Sequence, residues 1–260
     1  MKRTFNQISV IAILLLALVQ FVTAADRDFY QIQVYRINGK IQEDRVENYL
    51  KMAYLPALHR AGIKKVGVFK PIPSDTASKN QIIVWLPLIA LDQIDKLQTT
   101  LEKDVKYQTD GADVLNAPFD NVAFLRKESI LLKAFPDAPN FFIPDYKTKP
   151  SERIYELRSY EGPTENLFRQ KMKMFNEGGE IKLFKSLEFN AVFYAGVISG
   201  STMPNLMYLT TFADMKSHDA HWDAFRNHPD WKKLSALDEY KHTVSKSIKI
   251  LLFPTDYSDF

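Results

Sequence analysis

The chain repeats itself, and the repeat constrains the fold more than any single motif. FYQIQVYRI (Phe29 to Ile37) answers IYELRSYEG (Ile154 to Gly162), and KVGVFKPI (Lys65 to Ile72) answers NAVFYAGVI (Asn190 to Ile198). QIIVWLPL (Gln81 to Leu88) answers NLMYLTTF (Asn205 to Phe212), and ESILLKAFP (Glu128 to Pro136) answers KSIKILLFP (Lys246 to Pro254). Four matches recur in one order at a period of about 125 residues, too long for a solenoid unit and right for a duplicated module. Each half reads strand, helix, strand, strand, helix, strand. That order is the βαββαβ unit, so the expected fold class is α+β with tandem ferredoxin-like modules.

The helical segments carry their own punctuation. EDRVENYLKMAYLPALHRAG keeps Val46, Tyr49, Leu50, Leu55 and Leu58 near helical spacing and stops at Gly62, with Pro56 predicted to kink it. Leu91, Ile94, Leu97 and Leu101 make one stripe of a second helix. In the second half Thr164 is a predicted cap, and Gly178 and Gly179 weaken the helix that follows it. SDTASKN and SGSTMPN are polar turns between the middle strands. PDAPNFFIPDYKTKPS, with four prolines, reads as a linker. The expected organisation is residues 1–25 as a signal peptide, 26–135 as the first module, 136–151 as a proline-rich linker and 152–260 as the second module.

The first residues suggest export. Lys2 and Arg3 precede the apolar run Ile8 to Val22, and VTAA offers small residues for cleavage after Ala24 or Ala25. The run is short for a membrane span and has no basic stop-transfer flank, although an uncleaved anchor is the rival. The protein is therefore expected to be periplasmic or extracellular, with no membrane association after cleavage. No cysteine occurs, which excludes disulfides, thiolate chemistry and lipid attachment at cysteine. The 34 basic and 31 acidic residues nearly balance and form no dense stripe, so nucleic acid is not an expected partner. No P-loop, G-x-G-x-x-G or G-x-S-x-G occurs, and nucleotide, dinucleotide and serine-hydrolase readings lack their usual signals.

Three stretches point to a family. AYLPALHRAGIKKVGVFKPI, YELRSY and YLTTFADMKSHDAHWDAFRNHPDWKKL resemble the NIPSNAP family, the last most specifically. The resemblance implies two ferredoxin-like modules of the dimeric α/β-barrel type and little about activity. Animal members are linked to vesicle traffic and mitochondrial quality control, roles that the export signal argues against transferring.

A ferredoxin-like sheet has helices on one face, and its other face needs a cover. QIIVWLPL and NLMYLTTF are apolar almost continuously, which suggests burial on both faces. The simplest cover is the sheet of the other half, closing an intramolecular α/β barrel. Alternate residues of a strand share a face. Tyr30, Ile32, Val34, Tyr155 and Leu157 are predicted to face the helices. Gln31, Gln33, Tyr35, Glu156, Arg158 and Tyr160 are predicted to face the barrel, as in a small-molecule pocket. Glu156 or Tyr160 would then transfer protons, and Arg158 would hold a carboxylate or enolate. A plain structural contact of Arg158 with Glu156 or Gln33 is the alternative. His59, where the first helix gives way to a strand, could reach the pocket mouth.

HDAHWDAFRNHPDW holds three of the five histidines and two of the three tryptophans. His218 and His221 are neighbours on one helix, but Pro229 takes His228 out of register. A third metal ligand is not fixed among Asp214, Asp219 and Asp223, and no metal is expected. Packing by Trp222, Phe225 and Trp231 is the expected role. The expected function is an exported module binding a small apolar or aromatic ligand or a protein partner, with no cofactor and with room for a homo-oligomer. The alternatives are a cofactor-independent α/β-barrel enzyme of monooxygenase or isomerase type, and haem binding with His59 or His221 as axial ligand.

Overall fold

A computed structural model describes residues 26–260; the expected signal peptide lies outside the described residues. Eight strands form one closed barrel: β1 (Phe29–Arg36), β2 (Gly67–Pro71), β3 (Gln81–Leu88), β4 (Arg126–Ala134), β5 (Ile154–Glu161), β6 (Phe193–Ser199), β7 (Asn205–Phe212) and β8 (Lys246–Pro254). Their order is β1-β3-β2-β8-β5-β7-β6-β4, and β4 returns to β1, with every neighbour antiparallel. Each half contributes a run in the order 4-1-3-2, and two seams, β2–β8 and β4–β6, join the halves. The barrel closes within one chain and uses no second copy.

The helices lie outside the barrel. The first half supplies α1 (Lys40–Tyr49), α2 (Leu55–Arg60), α3 (Gln93–Lys103), α4 (Val105–Asp110) and α5 (Ala112–Leu115). The second supplies α6 (Glu165–Phe175), α7 (Glu180–Ser186), α8 (Met215–Asn227) and α9 (Pro229–Ala236). Pro56 does not break its helix. A π-helical turn, Leu50–Tyr54, joins α1 to α2, and Pro56 falls in the first turn of α2, where its missing N–H is tolerated. Gly179 takes φ +87°, a conformation open to glycine at little cost, and separates α6 from α7.

The repeat is real, but its last pair is displaced by two residues. Tyr30 faces Leu132 on β4, and Tyr155 faces Leu252 on β8, so Arg126–Ala134 matches Lys246–Pro254. An even shift keeps every side chain on its face.

The face assignment of the first strands is inverted relative to the sequence expectation. Tyr30, Ile32, Val34, Tyr155 and Leu157 point into the barrel with Phe69, Trp85, Phe193, Leu209 and Leu252. Tyr35 packs in the layer beneath the first-half helices, and Tyr160 packs against the layer of the second half. The alternation holds and its sense is reversed. An eight-stranded barrel has a narrow interior that bulky side chains fill or that holds one small ligand, so the bulky apolar set takes the interior. The polar set lies where helical side chains can satisfy it.

Candidate functional site

The two barrel ends differ. One end is sealed. Phe141 and Ile143, from the proline-rich stretch, pack on the barrel core, with Phe141 against Trp85 at 5.4 Å between rings. That stretch is thus part of the barrel's packing rather than a free connection. Phe260 enters the same end against Phe69 and Trp85, each at 5.4 Å. Gly67 has no Cβ because Phe69 occupies the space; a Cβ there would lie 2.4 Å from that ring. Asp259 holds Phe260 in place, accepting from Val66 N–H at 2.8 Å and pairing with His59 Nε2 at 2.9 Å. His59 therefore sits at the sealed end and fixes a plug, away from the open mouth.

The other end is open. A cavity of about 280 Å³ is walled by Ile32, Val34, Ile83, Ile130, Leu157, Met207, Ile248 and Ile250. Its rim is polar. Arg36 pairs with Glu128 at 2.9 Å and donates to Gln81. Asn205 and Ser159 exchange hydrogen bonds at 2.9 and 3.0 Å. The β2–β3 and β6–β7 turns flank the opening through Ala77, Ser78, Ser201 and Thr202. Deeper in, Ile32, Phe69, Trp85, Leu157 and Phe193 leave about 10 Å³, at most one water. An apolar well with a few placed polar groups is the usual form of a small-ligand site, and this one is just below the usual range of about 300–1,000 Å³.

Beneath the helices lie two buried polar networks. In the second half Glu156 is fully buried. Its carboxylate accepts from Arg158 Nε at 2.9 Å, from His218 Nε2 at 3.1 Å and from Trp222 Nε1. Arg158 also donates to Tyr160 Oη at 3.0 Å, stacks 3.8 Å from the Trp222 ring centre, and Tyr160 bonds Tyr208 at 2.8 Å. In the first half Gln33 donates to Tyr54 at 2.8 Å and to Gln31 at 3.1 Å, while Tyr35 donates to Gln33 at 3.3 Å. Gln33, Tyr35, Glu156, Arg158 and Tyr160 are thus brought together in two groups, one per half, each outside the barrel wall.

Local sequence places His218. Asp214 caps α8: its carboxylate accepts from Ser217 N–H at 2.7 Å, and Ser217 Oγ accepts from Asp214 N–H at 3.1 Å. Such a capping box stabilises a helix start by about 1 kcal/mol. His218, one residue on, stands between Glu156 and Asp219, the latter at 2.8 Å. His228 ends α8 and caps α9 by accepting from Asp230 N–H at 3.2 Å, and Trp231 packs back on Phe225 at 4.5 Å. His221 packs against Phe189 and Phe212. Among the described residues no group of three or more His, Asp or Glu side chains is arranged to hold a metal ion.

The network has a pH signature. Burial opposes ionisation of Glu156, but the His218 hydrogen bond and the Arg158 charge outweigh it and hold its pKa below the ordinary value of 4.5. Burial likewise opposes protonation of His218, and its bonds to Glu156 and Asp219 outweigh that, raising it above 6.5. The Glu156 contribution to stability is present above pH 4.5 and lost as pH falls through its lowered native value. The His218 contribution is present below pH 6.5 and lost as pH rises through its raised native value. Both are complete between these limits. Urea unfolding at a series of pH values is expected to show stability declining on the alkaline side above pH 6.5. His218→Gln is expected to flatten that limb; an unchanged limb in the variant rules out His218 as its source.

The mouth was not visible as a site in the sequence. Ile130, Ile248 and Ile250 read there as ordinary strand residues. The alternation of β4 and β8 is the signal that could have found them, once those strands were placed at the seams.

Comparison with known proteins agrees with this geometry. Residues 155–259 match the family model for NIPSNAP. No curated protein matches the chain significantly. A structure described as a putative monooxygenase from Lactobacillus acidophilus is similar over 88% of this chain and 94% of its own, at 10% identity and a TM-score of 0.57. One described as an anthrone oxidase-like protein is similar over 90% of this chain and 94% of its own, at 8% identity and a TM-score of 0.57. At these identities the likeness is one of fold. A NIPSNAP family protein from Agrobacterium tumefaciens matches 46% of this chain and 98% of its own, at 16% identity and a TM-score of 0.38. No described helix is long and apolar enough to cross a membrane.

Proposed function

We propose that this chain, which carries a NIPSNAP domain over residues 155–259, is a binding module that takes a small, largely apolar ligand in the open end of its barrel. One observation carries the proposal: the barrel is sealed at one end by Phe141, Ile143 and Phe260, and at the other keeps an isoleucine-walled well with a polar rim. A planar aromatic body suits the well, and Arg36, Gln81 and Asn205 suit a single hydroxyl or carbonyl at the rim. The 4-1-3-2 strand order of each half supports reading the chain as two ferredoxin-like modules fused into one barrel. Lys2, Arg3 and the apolar run after them support an exported protein with a cleaved signal, which mass spectrometry of the N-terminus checks: a chain still beginning at Met1 rules out the cleavage.

Ligand binding to the folded state raises the melting temperature. A thermal-shift screen of aromatic lactones and phenols is expected to raise it for the natural protein and to leave Ile130→Trp, which fills the well, unmoved. Equal shifts in both proteins place the ligand elsewhere. A catalytic reading draws on the monooxygenase and anthrone oxidase-like descriptions of the structural neighbours. Oxygen uptake with anthrone separates the two, since binding alone consumes none.

A further inference from the structure

The two seams of the barrel are built alike and finished differently. Gly67 faces Trp85, the fifth residue of β3, and Phe193 faces Leu209, the fifth residue of β7. Counting three residues on, Lys70 and Gly196 occupy equivalent places. On the helices above, buried Val46, Tyr49 and Leu50 correspond to buried Lys171, Met174 and Phe175. This sets Glu43 and Glu47 opposite Phe168 and Met172 in the repeat. At the β2–β8 seam Lys70 reaches across to Glu43 and Glu47 and ties α1 to the barrel. At the β4–β6 seam that ion-paired bridge is missing and the space stands open. A Cβ on Gly196 would lie 3.4 Å from Met172 Sδ and 3.6 Å from Phe168 Cζ, so the same trio there forms an apolar floor.

The opening is a groove of about 440 Å³. Its walls carry Arg27 and Lys133 on one side and Arg169 and Lys173 on α6, against a single carboxylate, Glu177. Lys173 pairs with Glu239 at 2.6 Å. Among the described residues Arg27, Lys133 and Arg169 have no carboxylate within ion-pair distance; Arg27 donates to the Ala134 carbonyl and Arg169 to Asn166. Cations above an apolar floor fit one chemistry, an anionic head on a hydrocarbon body.

We propose that the groove over the β4–β6 seam binds a small carboxylate-bearing amphiphile, its carboxylate between Lys133 and Arg169 and its chain on Phe168, Met172 and Gly196. The site is separate from the barrel mouth. Titration calorimetry of the purified protein with octanoate, and with octan-1-ol as uncharged control, tests it. Octanoate is expected to bind about tenfold more tightly than octan-1-ol, the worth of one charge-assisted contact. Lys133→Glu with Arg169→Glu is expected to remove that advantage, and Gly196→Leu to abolish binding of both molecules. Ile130→Trp at the barrel mouth is expected to leave octanoate binding unchanged, so this proposal and the preceding one fail separately. Circular dichroism melts establish that each variant folds. The proposal is overturned if the charge-reversed protein binds octanoate as the natural one does, or if Ile130→Trp alone abolishes binding. It is also overturned if octanoate fails to bind; self-association through a surface that Gly196→Leu disrupts then assigns the groove to a second copy of the chain.

Discussion

Glu156→Gln is expected to destabilise the fold by about 3–5 kcal/mol, the usual cost of removing one partner from a buried ion pair. Glu156 is wholly buried and gathers Arg158, His218 and the Trp222 indole N–H on its two oxygens. The amide keeps the shape, loses the charge and turns an NH₂ group toward donors. Arg158 would then be a nearly enclosed cation without its carboxylate, and His218 would lose the partner that favours its charged form; their side-chain exposures are 19% and 7%. At about 2–4 °C per kcal/mol for a domain of this size, melting is expected to fall by about 10 °C. The exposed pair Lys96–Asp92 is the control: Asp92→Asn is expected to change stability by less than about 0.5 kcal/mol. Similar losses from both substitutions in urea titrations contradict the assigned role of Glu156.

Trp85→Ala is the second large effect, expected to cost about 3–5 kcal/mol. Trp85 is 1% exposed and touches Tyr30, Phe141, Phe193 and Phe260 inside the barrel. The surrounding strands form a closed ring and cannot collapse into the space left behind. Trp85→Phe is expected to cost at most about 1.5 kcal/mol. Among the described residues the buried indole N–H has no partner, and phenylalanine removes that polar group while keeping a ring in place. Denaturant midpoints distinguish the two. A Trp85→Ala protein as stable as the parent contradicts a packed barrel interior.

Much of the fold was legible because it rests on periodicity. The apolar runs of β3 and β7 required cover on both faces, and the repeat supplied the second sheet. Alternation along β1 and β5 correctly separated Tyr30 and Ile32 from Gln31 and Gln33. Alternation has no sense of direction, however, and which set points inward is decided by volume and by distant partners. His218 and Trp222 lie more than sixty residues from Glu156, and nothing local announces that α8 will lower them onto β5. The plug escaped notice for a similar reason. Phe141 sits in the stretch read as a linker and Phe260 lies beyond the last strand, and only closure of the barrel makes an end for them to seal. The mouth is a product of that same closure, since its isoleucines come from strands of both halves.

The isoleucine walls allow a direct test of the binding site. A ¹³C-methyl spectrum of isoleucine-labelled protein, titrated with 2-naphthol, reports each wall separately. Shifts confined to Ile32, Ile83, Ile130, Ile248 and Ile250 are predicted, because these line the open end. Shifts at Ile63 and Ile181, which lie in the core layers between helices and barrel, with the barrel isoleucines unmoved, would contradict a ligand site in the barrel mouth.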